Sequence, residues 1–266
     1  MKVWVIIPMH NFAELTDECV DYVKKHAGIE HEILVVDDCS KKAYKNDKVK
    51  VARLKQHSGF SKAINFGLRL LQLNYDYVCI LNNDTLPEPN FLKHMVETAK
   101  KDPQIGIVGA SRIMGYDPYK VSMWGTDLTT GQVACSLEDL AEPSQAIWIP
   151  FCCVLFSQAC VQAVGLLDEK MINHCSDNDY CLRALFMDFA VVHEPKAKVF
   201  HYQSKTVESL GLEPYDDQIT FARKWFGVAM NEILKKIPIN EPLGKWGEIG
   251  FKYTTKEQEV SGIIKP

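Results

Sequence analysis

No run of apolar residues approaches the roughly 18 that a membrane-crossing helix requires. The opening Val3-Trp4-Val5-Ile6-Ile7 is too short for the apolar stretch of a secretion signal before Pro8 interrupts it. Basic residues are not in excess. Lys and Arg total 30 against 34 Asp and Glu, a formal charge of −4, which argues against a protein whose main task is to coat nucleic acid. Missing too are the GxGxxG and P-loop spacings that build phosphate cradles, and the CxxC pairs that hold zinc. There is no internal repeat and no low-complexity tract.

The chain does have nine cysteines, an odd number, set largely within apolar runs such as Phe151-Cys152-Cys153-Val154-Leu155-Phe156. They read as reduced, buried thiols of a cytoplasmic protein, with any membrane contact peripheral. A length of 266 residues at 47% hydrophobic content suffices for one large α/β domain. That domain is expected over 1–236, with 237–266 as a C-terminal tail carrying Pro238, Pro242 and Gly244.

The first hundred residues alternate β-rich runs with helical patterns, the signature of parallel βαβ units. Strands are expected at Lys2 to Ile7, Glu32 to Val36, Val49 to Leu54 and Tyr77 to Leu81. Phe60, Ala63, Ile64, Leu68 and Leu71 follow helical spacing between the third and fourth, and a further helix is expected from Pro89 to Lys101. From Arg112 to Gln145 the pattern loosens into a candidate insertion or substrate loop. Beyond the apolar segment Ile147 to Phe156, a helix is expected from Asp177 to about Met187. Short strands follow at Ala190 to His193 and Lys198 to Tyr202, then a helix around Asp216 to Lys236.

Three polar clusters fall at the expected carboxyl ends of separate parallel strands: Pro8 to Asn11, Asp37 to Ser40, and Asn82 to Asp84. Parallel strands align these ends along one edge, where open α/β sheets bind ligands. Each cluster alone also fits an ordinary turn. Their convergence, with a later acidic and histidine pair, favours a site.

In their order along the chain these motifs resemble the inverting glycosyltransferases of family 2, with a GT-A nucleotide-diphospho-sugar transferase fold. The carriers are Ile6-Ile7-Pro8-Met9-His10-Asn11, Val35-Val36-Asp37-Asp38-Cys39-Ser40, Ser58-Gly59-Phe60-Ser61-Lys62-Ala63-Ile64-Asn65-Phe66-Gly67 and Leu81-Asn82-Asn83-Asp84-Thr85. Gly165-Leu166-Leu167-Asp168-Glu169, Ser176-Asp177-Asn178-Asp179-Tyr180-Cys181-Leu182-Arg183 and Val199-Phe200-His201 complete the set. The resemblance runs from Val3 to about Thr206, roughly three quarters of the chain.

It implies an α/β fold with a Rossmann-like, mostly parallel central sheet flanked by helices and a small additional antiparallel sheet. A nucleotide-sugar half over about 1–111 would precede an acceptor half over 112–236. Donor binding is implied for Pro8, His10, Asn11, Asp38, Ser40, Gly59, Lys62, Asn82 and Asn83, with Asp38 accepting from a pyrimidine N–H and His10 standing where a tyrosine is common. Asp84 matches the last acid of the family's DxD-like motif, reduced here to Asn82-Asn83-Asp84. His201 matches a late histidine near the metal. Mg2+ or Mn2+ can use one or two protein carboxylates, with diphosphate and water completing the shell, and an imidazole ligand would favour manganese. A structural strand-end histidine is the alternative.

The resemblance selects Asp177 over Asp179 as catalytic base, although Ser176 replaces a common Glu. Residues two apart on a helix point to nearly opposite sides, so the two acids should not serve one atom. The plainer reading has Ser176 as an N-cap and both acids complementing the helix dipole, a dipole that should keep Asp177 ionised near neutral pH.

The reaction implied is direct, inverting displacement of a UDP- or dTDP-sugar by an acceptor hydroxyl on a glycan, a lipid-linked sugar or another polymer. Two readings compete with it: a sugar nucleotidyltransferase, and a non-catalytic binding module on a decayed scaffold. The basic segment Lys41 to Lys55 reads first as a solvated edge and second as a contact for an anionic acceptor, nucleic acid included. Gln203 to Tyr215 suits a lid. Trp124 and Trp148 offer stacking faces or core packing.

Overall fold

The computed structural model describes residues 1–114, 120–122, 142–202 and 215–225. Most of the expected insertion with Trp124, the expected lid up to residue 214, the end of the last expected helix and the whole C-terminal tail lie outside the described residues.

Strand β1 (Val3–Met9) is buried along its whole length, as a strand covered on both faces must be. Its side chains alternate between two cores. Trp4 and Ile6 join one, Val3, Val5 and Ile7 the other. Parallel partners flank it: β2 (Glu32–Asp37) on one side and β4 (Tyr77–Leu81) on the other, with β3 (Lys50–Arg53) beyond β2. β1 continues past the expected end at Ile7. Its ladder to β4 stops at Ile6 while pairing to β2 runs on through Pro8, so the proline, which lacks an N–H, sits where the strand has one neighbour.

The remaining described strands are β5 (Thr85–Pro87), β6 (Ile105–Met114), β7 (Lys120–Ser122), β8 (Ser144–Gln145), β9 (Cys153–Ser157) and β10 (Ala190–His201). One ten-stranded sheet results, in the order β3-β2-β1-β4-β9-β6-β10-β5, with β7 on β6 and β8 on β10. β9 runs antiparallel to both β4 and β6, whereas β6 and β10 are parallel. The antiparallel pairs are therefore continuous with the parallel half. β10 is a single strand where two were expected. A register shift between Glu194 and Lys198 absorbs Pro195 as a bulge, within which Glu194 accepts from Lys196 N at 2.8 Å.

Helices α1 (Ala13–His26) and α3 (Phe91–Ala99) cover one face through Cys19, Val20, Val23, Phe91, Leu92, Met95 and Val96. α2 (Phe60–Leu71), α4 (Gln158–Val164), α5 (Ser176–Phe186) and α6 (Tyr215–Trp225) contribute to the core on the other. No helix of the described residues is long and apolar enough to cross a membrane.

Candidate active site

The loops after β1, β2 and β4 leave the sheet at one edge because those strands are parallel. β9 runs the other way, so its entry segment, Pro150 to Cys152, arrives at the same edge. Between them opens a cleft of about 360 Å3. Pro8, His10, Asp38, Gly59, Asn82, Asn83, Asp84, Asp177 and His201 all line it. Three other expected donor residues do not. Asn11 N donates to Ser40 Oγ at 2.8 Å and Asn11 Oδ1 accepts from Lys41 N at 2.9 Å, so this pair ties the β1 and β2 loops together. Lys62, on α2, is not part of the lining.

Asp38 is buried, and both of its carboxylate oxygens accept backbone amides at 2.8 Å, from Ser58 and from Gly59. It thus fixes the N-terminus of α2 against the end of β2. Gly59 meets this demand at φ 86°, and a Cβ there would lie 2.3 Å from Ile172 Cγ2. Asp37, the preceding acid, serves the fold. Burial pushes its carboxyl up, but amides of Ser40 and Tyr44 and the Arg53 guanidinium outweigh that and hold it below the usual carboxylate range.

At the end of β4, Asp84 Oδ1 lies 3.0 Å from His201 Nε2, and both residues are buried. The antiparallel pairing of β5 with β10 sets His201 opposite Thr85 and brings these residues, 117 apart in sequence, together. Asn83 Nδ2 donates to Thr16 Oγ1 at 3.0 Å, anchoring the turn to α1. His201 Nδ1 and Asn82 Oδ1 are buried with no hydrogen-bond partner among the described residues.

Asp177 opens α5 on the cleft wall. The helix is preceded by Cys175 at φ 57°, so Ser176 is its first residue rather than the N-cap expected for it. Asp179 points elsewhere. It accepts from Arg183 Nε at 2.9 Å, Trp225 Nε1 at 2.7 Å and Lys224 Nζ at 2.8 Å, which fastens α6 to α5. The Asp177 carboxyl is raised to about 6, chiefly by burial, against the lowering effect of backbone amides and the Arg112 charge. This corrects the expectation that the helix dipole would govern it: desolvation in the cleft outweighs the amides.

Asp217 on α6 accepts three successive amides, Ile172 N at 2.8 Å, Asn173 N at 2.9 Å and His174 N at 2.8 Å. The strap so formed leads directly into Cys175 and Asp177. The same loop meets α2, where Phe60 N donates to Asn173 Oδ1 and Ser61 N to Ile172 O, each at 3.1 Å.

Sequence reasoning missed His57, Arg112, Phe151, His174 and Gln218 in the lining; Trp148, for which it offered a stacking face or core packing, is buried in the core and also lines the cleft. His57 follows the carboxyl end of β3, the fourth parallel strand, and that position was its only signal. In the basic segment, Lys48 and Lys50 pair with exposed Asp21 and Glu32, as at a solvated edge, whereas Arg53 pairs with buried Asp37.

Residues 4–159 match the family described as Glycosyl transferase family 2. The chain is 24% identical over 217 residues to the poly-beta-1,6-N-acetyl-D-glucosamine synthase of Staphylococcus epidermidis, covering 77% of this chain and 51% of that protein. To the enzyme of the same name from Staphylococcus aureus strain MSSA476 it is 26% identical over 191 residues, covering 67% and 44%. It thus spans about half the length of the curated relatives it matches.

Among solved structures it superposes on GalNAc-T7 with UDP, GalNAc and Mn2+ at a TM-score of 0.66 and 16% identity, covering 98% of this chain and 57% of that one. On S. aureus TarS 1–349 the TM-score is 0.59, again at 16% identity, covering 98% and 73%. The fold is GT-A, and with more than half of its length matched, the chain belongs to glycosyl transferase family 2.

Proposed function

We propose that the cleft transfers a sugar from a nucleotide-diphosphate donor to an acceptor hydroxyl with inversion at the anomeric carbon. One observation carries the reading. Asp38, Asp84, Asp177 and His201, contributed by four separate elements, line the same cleft. Asp38 and the Pro8–His10 turn would receive the nucleoside, and Asp177, with a carboxyl near 6, would be ionised at neutral pH and able to accept a proton. As Asp177 takes the hydroxyl proton, the acceptor oxygen bonds to the anomeric carbon and the bond to the diphosphate oxygen breaks, releasing nucleoside diphosphate. Asp179 is occupied by three donors and is not available for that step.

The Asp84–His201 pair suits a divalent ion. A carboxylate and an imidazole meet at the cleft, and beside them the orphaned Asn82 Oδ1 and His201 Nδ1 are buried polar atoms that need further partners. When bound there, Mn2+ or Mg2+ supplies positive charge against the diphosphate. Asn83 keeps the turn in place through Thr16.

Because a solved neighbour holds UDP, GalNAc and Mn2+ and the curated relatives are named for a polymer of N-acetyl-D-glucosamine, UDP-N-acetylhexosamines are the first donors to test. Incubation with a panel of nucleotide sugars and Mn2+, with and without glycan acceptors, should release nucleoside diphosphate from at least one donor. Tight nucleotide-sugar binding with no turnover under any acceptor would refute transfer.

A further inference from the structure

In the same cleft as the Asp84–His201 pair, three side chains with metal-ligating atoms converge from three loops. His10 follows β1, Asp38 follows β2 and His57 follows β3. His57 Nδ1 lies 2.9 Å from Asp38 Oδ2, and His10 Nδ1 lies 2.7 Å from the Asp38 backbone oxygen. The two imidazole rings are 4.0 Å apart between centroids and tilted by 42°. One ligand atom from each of the three residues lies within 4.8 Å of the other two.

We propose that His10, Asp38 and His57 form a second metal site, selective for a transition-metal dication of the zinc type. The donor set decides the class. Two imidazoles and one carboxylate match zinc, nickel, copper or ferrous ions, whereas magnesium and calcium prefer oxygen alone. Three protein ligands leave a coordination position open, and all three residues line the cleft, so that position faces its contents. The carboxylate is already oriented. Ser58 N and Gly59 N each hold one oxygen at 2.8 Å, the kind of outer support that fixes a ligating acid, and each oxygen keeps a lone pair for the ion. His57 is 39% exposed on its side chain and so has room to turn as the donor atoms, now within 4.8 Å of one another, draw in to bonding distance. The ion would replace the protons that now join the imidazoles to Asp38.

This inference concerns the end of the cleft assigned above to the nucleoside, so zinc and donor would compete. Its test is done without nucleotide and does not depend on that reading. The full chain is titrated with Zn2+ by equilibrium dialysis and with Co2+ by visible absorption, as wild type and as His57→Ala, His10→Ala and Asp84→Asn. Circular dichroism checks that each variant is folded. The expected result is a site that persists in Asp84→Asn, shows the d–d bands of nitrogen-bound Co2+, and loses at least tenfold in affinity in both histidine variants. Unchanged Zn2+ affinity in folded His57→Ala, or loss of all binding in Asp84→Asn alone, would overturn it. Failure of the donor panel with this site intact would instead count against transfer.

Discussion

Replacing Asp217 with Asn should loosen the strap that carries Asp177 without adding or removing a heavy atom. The native carboxylate is 6% exposed and accepts three amides between 2.8 and 2.9 Å, one on Oδ1 and two on Oδ2. An amide offers a single acceptor oxygen. Turned toward Asn173 and His174, it leaves an NH2 facing the Ile172 N–H, donor against donor. One hydrogen bond to a charged group is lost, at about 1.5–3 kcal/mol, and two fall from charged to neutral strength, at about 1 kcal/mol each. Water reaching this half-buried loop recovers part of that, so the expected loss is about 3 kcal/mol. At 2–4 °C per kcal/mol for a domain this size, Tm should fall by about 6–12 °C.

Urea denaturation followed by fluorescence gives the same quantity independently, with Asp216→Asn, exposed one residue earlier on the helix, as control. Because the strap precedes Asp177 directly, kcat should fall at least tenfold while the KM for donor changes little. An Asp217→Asn protein within about 0.5 kcal/mol of wild type, with unchanged kcat, would refute the reasoning.

Asp177→Asn should lower turnover by a factor of about 10^2 or more, leaving UDP affinity within threefold by calorimetry. In the wild type, kcat/KM should drop tenfold per pH unit below about 6, where the carboxyl takes up its proton; a limb that survives in Asp177→Asn would assign it to another group. Since the folded state holds that proton more tightly than the unfolded chain does, the same group should make the protein less stable as pH rises from about 4 to about 6, which denaturation midpoints of wild type and Asn variant would separate. Asp84→Ala should weaken UDP binding at least tenfold in Mn2+ and little in EDTA; equal loss in both would argue against a metal at this residue. Gly59→Ala places a side chain at φ 86° and 2.3 Å from Ile172 Cγ2, and should destabilise by about 1–3 kcal/mol from the backbone alone. An unchanged urea midpoint would mean the turn relaxes freely.

Much of this was legible in the chain itself, for identifiable reasons. The run Tyr77–Leu81 and the spacing Phe60, Ala63, Ile64, Leu68, Leu71 state their elements directly, and parallel strands oblige the turns after them to share an edge. That logic brought Asp38 and Asp84 to one cleft. It did not reach His57, because a histidine in a polar loop carries no periodic signal. It also gave β9 no direction, since the apolar segment Ile147 to Phe156 reads the same in either orientation. α1 buries only Thr16, Cys19, Val20 and Val23, a narrow stripe on a polar helix, and drew no assignment of its own. The Asp177 carboxyl was misjudged for another reason. A helix N-terminus is visible in sequence, whereas the depth of the surrounding cleft is a property of the folded surface.

The reversed strand β9 also sets a timetable for biosynthesis. The four parallel strands of the first 81 residues can pair as soon as they emerge, but β4 meets its other neighbour only when Cys153–Ser157 arrives. At roughly 5–20 residues per second, β4 waits about 4–14 s with its far edge unpaired. An open edge of that kind invites pairing with another chain, so slowed translation between residues 81 and 153 should raise the aggregated fraction more than an equal delay after residue 157.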